Sequence, residues 1–108
     1  MPQLKFRGVP IDKICQVSKA LINSLTQVIG CPSDSFTLEH IPSTFVMEGK
    51  ITEEYPFVEV AWFDRGQETQ DKVAKIVTDA IKTLGYADVD VFFTVFSKEK
   101  YYENGEHF

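Results

Sequence analysis

Phe57-Val58-Glu59-Val60-Ala61-Trp62-Phe63 is apolar at almost every position, with Glu59 its only charge. A strand with one wet face alternates, whereas a strand covered on both faces reads as a nearly unbroken apolar run, so this stretch predicts a central strand. On its amino-terminal side lies Pro42 to Pro56, a mixed segment holding Gly49 and read as a loop or irregular hairpin arm that reverses the chain. On its carboxyl side, Val73, Ile76, Val77, Ala80, Ile81 and Leu84 recur at helical spacing, with Asp71, Lys75, Asp79 and Lys82 off the stripe. Gly85 is the expected stop of that helix. Val89 to Phe96 (VDVFFTVF) then reads as another strand, and Asn104-Gly105 marks a tight turn in the tail.

The first half of the chain follows the same plan. Gln3 to Arg7 alternates, with Leu4 and Phe6 on one side and Lys5 and Arg7 on the other, which predicts a short strand ended by Gly8. Pro10 suits a helix start, Ile11, Ile14, Ala20, Leu21, Leu25, Val28 and Ile29 supply a stripe, and Gly30 a stop. Phe36 to Ile41 is the second strand. Lys5-Phe6-Arg7-Gly8 ahead of the first helix also echoes Phe63-Asp64-Arg65-Gly66 ahead of the second. The expectation is one α+β domain over residues 1–108, with repeated halves of about 1–50 and 51–108. Its two β-α-β units form a four-stranded mixed sheet with both helices on one face, because crossovers between parallel strands are right-handed. Apolar residues on the uncovered face would then be buried against partner subunits.

Composition excludes several classes of function. Sixteen acidic residues outnumber eleven basic ones and leave a net charge of -5, with no basic patch for nucleic acid. The apolar runs are too short to span a bilayer, and the amino-terminal stretch carries no secretory pattern, so a cytoplasmic location is expected. Cys15 and Cys31 form neither a zinc pattern nor a disulfide framework and are read as free thiols. His40 and His107 have no partner at ligand spacing, so no metal is expected.

The element order, the start Met1-Pro2 and the ending Asn104-Gly105-Glu106-His107-Phe108 resemble the tautomerase superfamily, which includes macrophage migration inhibitory factor. The resemblance is closest to the bacterial branch called domain of unknown function 1904. It is carried by Pro2-Gln3-Leu4-Lys5-Phe6-Arg7, Val58-Glu59-Val60-Ala61-Trp62-Phe63, Gln70-Asp71 and Tyr101-Tyr102 through Phe108.

The resemblance implies a homotrimer in which the initiator methionine is removed and the freed Pro2 nitrogen acts as a base on a small keto or enol acid. It also places Cys31 where the migration inhibitory factor has a lysine, and Phe92 and Thr94 where it has a pocket tyrosine and asparagine. Arg65, then Arg7, then Lys50 are the cations put forward for a substrate carboxylate, since a planar guanidinium grips a carboxylate with two bonds. Trp62 is read as core or pocket wall, with Phe92 and Thr94 as further wall.

Each residue also has a plainer reading. Pro2 would open a strand, where a missing N–H costs nothing, and Arg65 and Arg7 would cap strand ends or pair with Glu59, Asp64 or Glu68 at a subunit boundary. A non-catalytic trimeric binding module is the alternative function, and a monomeric ferredoxin-like regulatory domain a third.

Overall fold

The computed structural model describes residues 1–108. The elements are β1 (Gln3–Arg7), α1 (Ile11–Ile29), β2 (Thr37–His40), β3 (Phe45–Met47), β4 (Lys50–Thr52), β5 (Phe57–Trp62), α2 (Gln67–Lys82), β6 (Asp90–Val95), β7 (Tyr102–Glu103) and β8 (Glu106–His107). The main sheet runs β2-β1-β5-β6, with β1 parallel to β2, β5 parallel to β6, and the central β1/β5 pair antiparallel. This is the expected α+β arrangement of a four-stranded mixed sheet and two helices. No helix is long and apolar enough to cross a membrane.

The helices form where the stripes are. α1 buries Ile14, Leu21 and Leu25, and α2 buries Val73, Val77 and Ile81 at four-residue intervals, so each lays one face on the sheet. Gly30 sits in the left-handed region and donates its N–H to Thr26 O at 2.8 Å, ending α1 as expected. α2 stops at Lys82, three residues before Gly85, because its last carbonyls are already taken up in a tight turn: Leu84 N–H bonds Ile81 O and Gly85 N–H bonds Lys82 O, each at 3.0 Å.

The two halves repeat in their bonding as well as their order. Thr37 N–H bonds Pro2 O and Asp90 N–H bonds Pro56 O, both at 3.1 Å. At the far ends, Ile41 N–H bonds Phe6 O at 2.9 Å and Phe96 N–H bonds Trp62 O at 2.7 Å. Each half ends in a small hairpin, β3–β4 and β7–β8, turned by two residues of positive φ: Glu48-Gly49 and Asn104-Gly105. Those are the primed turns that match strand twist. The segment read as a loop or irregular arm is therefore a regular two-stranded hairpin.

The register sorts the sheet into two unlike faces. Leu4 pairs with Val60 and Phe6 with Val58, and these join Trp62 beneath the helices, all of them buried. The other face carries Gln3, Lys5 and Arg7 opposite Ala61, Glu59 and Phe57, with Thr94 and Phe92 alongside. It is less apolar than the runs of β5 and β6 imply: Lys5 faces Glu59, whose Oε2 accepts a 2.8 Å bond from Thr94 Oγ1. Several of its aromatic rings find partners within the chain. Phe57 packs on Phe92 and Tyr55, and Phe63 on Phe96, Tyr101 and Phe108. The strongest apolar exposure lies instead on the β3–β4 arm, where Val46 and Ile51 are 66% and 79% exposed. A lone two-stranded hairpin is marginal in water.

Candidate functional site

Pro2 sits at the end of β1 with its ring fully buried. Its carbonyl is fixed by Thr37, and the register that sets Gln3 against Ala61 carries Pro2 to a place across from Trp62. Side chains alternate along a strand, so Pro2 shares the helix-covered face with Leu4 and Phe6. β5 ends at Trp62 and the chain turns through Phe63-Asp64-Arg65-Gly66, where Asp64 Oδ1 accepts the Gly66 N–H at 2.9 Å. That turn folds Arg65 backward. Its Nη1 donates to Phe63 O at 2.8 Å, and its guanidinium carbon lies 5.2 Å from the centre of the Trp62 ring.

The only ion pairs in the protomer are Lys72–Glu68 and Lys75–Asp79, both along α2. Within the single chain neither Arg65 nor Arg7 pairs with a carboxylate. Arg65 spends one donor on a carbonyl and keeps the rest.

The Met1 α-amine lies in this neighbourhood. Burial, and then the Arg65 guanidinium, hold it below its ordinary value of 8.0, while Cys31 and Glu103 pull in the opposite direction. Both leading causes act by disfavouring the cation. Arg65→Gln is expected to raise the midpoint of this amine and Glu103→Gln to lower it. Following the amine by NMR across pH in each variant checks the signs; shifts of the same sign in both would remove Arg65 and Glu103 as opposing neighbours.

Of the residues named from sequence, the single chain brings together Pro2, Trp62 and Arg65. Cys31, just past α1, joins them as a half-buried thiol packed against the core. Arg7 does not: it lies five residues along β1, about 16 Å away at strand rise, on the opposite face with its guanidinium 5.9 Å from the Phe57 ring centre. Lys50 is exposed on the β3–β4 arm. Phe92 and Thr94 stand on the alternate face of β6, against Phe57 and Glu59.

Glu103 was not singled out from sequence. Only the folding back of the tail brings it near, through the stacking of Phe108 on Phe63 at 4.9 Å and the contact of Tyr101 with the same ring at 5.1 Å. The Asn104-Gly105 turn was its one legible signal.

The sheet order, the paired helices and the proline at the mouth of the first strand define a tautomerase-superfamily fold, shared with 4-OT and with homologues of macrophage migration inhibitory factor. Within that class the chain belongs to the family described as domain of unknown function (DUF1904), whose model matches residues 1–107.

A member of that family from Sebaldella termitidis ATCC 33386 is 35% identical, with 100% of both chains covered and a TM-score of 0.93. A protein of unknown function from Vibrio cholerae O1 biovar eltor str. N16961 is 37% identical, covering 99% of this chain and 87% of that one at a TM-score of 0.87. A fused 4-OT asymmetric trimer, 14% identical, shares the fold at a TM-score of 0.75 over 97% of this chain and 94% of its own. No curated protein matches the sequence.

Proposed function

We propose that this chain is a cofactor-free tautomerase-like enzyme that moves a proton on a small keto or enol acid, with Pro2 as base once Met1 is removed. The observation that carries the reading is the buried Pro2 set across from Trp62, beside a guanidinium that has no carboxylate partner. An uncharged proline nitrogen takes a proton from the carbon next to a carbonyl. The C–H electron pair becomes the enol double bond as charge moves onto oxygen, and the proton is returned at another atom. Arg65 holds the carboxylate. The internal counterpart, Pro56, is a peptide nitrogen and can never serve as a base, so the repeat yields one such site per chain.

A homotrimer completes the proposal. The fused 4-OT relative is a trimer, and the apolar β3–β4 arm lacks a cover in the single protomer. Arg7, Lys50, Phe92 and Thr94 would reach a Pro2 site only from a neighbouring copy. A trimeric binding module without catalysis is the second reading, favoured by the closed packing around the Pro2 ring.

The test is ketonisation of an enol acid by processed protein and by its Pro2→Ala variant, each followed across pH. Replacing the ring frees the nitrogen to swing, and the rate is expected to fall about 10²-fold, the low end of general-base contributions. The wild-type rate should rise with pH as the Pro2 amine loses its proton. Equal measurable rates in both proteins remove Pro2 as the base, and no turnover in either leaves the binding module as the surviving account.

A further inference from the structure

Between α1 and α2 lies a cavity of about 550 Å³ that shares no residue with the Pro2, Trp62 and Arg65 end. Small-molecule clefts run from roughly 300 to 1,000 Å³, apolar over most of their lining with a few polar groups that orient the ligand. The cause of this one is local. Ala20 of α1 and Ala80 of α2 both line it and offer a single methyl each, so space that longer side chains would fill stays open. Leu21 is the buried lining residue and forms the floor, while Val17, Ile76 and Leu84 are half-buried at its sides. The walls run from Gln16 to Ser24 and from Ile76 to Leu84, about 12 Å of helix on either side.

The charge of the cavity has one sign. Asp79 is the only ionisable residue that lines it. Its Oδ2 takes Lys75 Nζ at 3.1 Å in a pair exposed on both sides, and its Oδ1 has no partner within the chain. Lys13, one turn ahead of Val17, holds its ammonium 4.9 Å from the centre of the Tyr86 ring and stays out of the lining. The net charge of -5 adds a longer-range attraction for cations.

We propose that this cavity is a binding site for a small hydrophobic amine, whose aromatic or alkyl body lies along Val17, Leu21, Ile76 and Leu84 and whose ammonium donates to Asp79 Oδ1. Burial of the body supplies most of the affinity, because apolar surface leaves water on both partners. The carboxylate supplies the selection: the same body with an anionic head would meet Asp79 as a like charge. No bond is made or broken there. The site is independent of the Pro2 reading, and enol turnover in the Pro2→Ala comparison bears on that reading alone.

Phenethylamine and hydrocinnamate share a phenylethyl body and carry heads of opposite charge, so the pair tests the assignment. Alanine-methyl-labelled protein resolves five alanines, of which Ala20 and Ala80 report the cavity and Ala61, beside Trp62, reports the Pro2 end. Phenethylamine at millimolar concentration is expected to shift Ala20 and Ala80 saturably and to leave Ala61 in place, and hydrocinnamate to leave Ala20 and Ala80 in place. Asp79→Asn should weaken phenethylamine by about two- to fivefold, the range of an exposed charge pair. Ala20→Phe, which fills the gap from an exposed helix position, should abolish the Ala80 shift.

Stationary Ala20 and Ala80 signals under phenethylamine, or equal shifts with both ligands, overturn the proposal. So do cavity signals that move with protein concentration alone, which mean that a second copy of the chain covers the cavity. The comparison of the two ligands needs only the wild-type protein, so an Ala20→Phe chain that fails to fold leaves the test in place.

Discussion

Protein that keeps Met1 is expected to lose proton transfer almost completely, by about 10²- to 10⁴-fold relative to processed protein, the span that a positioned general base contributes. The reason is one bond. With Met1 attached, the Pro2 nitrogen is a tertiary amide whose lone pair is delocalised into the carbonyl, and it has no useful basicity at any pH. The free α-amine of Met1 does not replace it, because it stands a residue further along the chain than the nitrogen of the buried Pro2 ring.

A short extension ahead of Met1 blocks processing and leaves the buried core untouched, so folding, read by far-UV dichroism and by thermal melting, should match the processed chain. Enol turnover should not. Undiminished turnover with an intact blocked terminus, verified by mass spectrometry, would sink Pro2 as the base.

The second large effect is on stability. Gly8→Ala is expected to cost about 3 kcal/mol, from roughly 1–2 kcal/mol for a side chain at left-handed φ and a further 1–3 for overpacking. Gly8 has φ +76°, and a Cβ placed on it would lie 2.1 Å from Tyr55 O and 2.6 Å from Tyr55 C. Both are backbone atoms at the entry to β5, so nothing flexible can give way. The close approach lets β1 leave the sheet just where β5 enters it, which holds the register that carries Pro2 to Trp62.

Gly49→Ala separates the two contributions. It has the same φ of +76° with nothing within 4 Å of the added Cβ, and should cost only about 1 kcal/mol. For a chain of this size the Gly8 variant should melt roughly 10–20 °C lower. Equal melting points for the two variants would mean that the Tyr55 contact constrains nothing.

The elements were legible because their causes are local. The four-residue rhythm of Val73, Val77 and Ile81 requires a helix with one covered face, and that face is the one buried. The alternation of Leu4 and Phe6 places both under the helices. The continuous run in β5 demands cover on its second face, and the single chain supplies part of that cover itself. Aromatic neighbours from Tyr55, Phe92 and the tail cover much of Phe57 and Phe63 inside the same chain. Hydropathy along a strand reports that a residue wants cover and is silent on which chain provides it.

The candidate site divides along the same line. Side-chain spacing and turn chemistry sufficed for two β-α-β units, their helix faces and the Asn104-Gly105 turn, while the resemblance to the tautomerase superfamily marked Pro2, Trp62 and Arg65 as residues to watch. Folding alone settled the β2-β1-β5-β6 order, the meeting of Pro2 with Trp62, the collapse of Arg65 onto an indole instead of a carboxylate, the arrival of Glu103 and the removal of Arg7 to the far end. Periodicity is a property of neighbours a few positions apart. The register between β1 and β5 joins residues fifty or more positions apart, and only the packing of the whole core selects it.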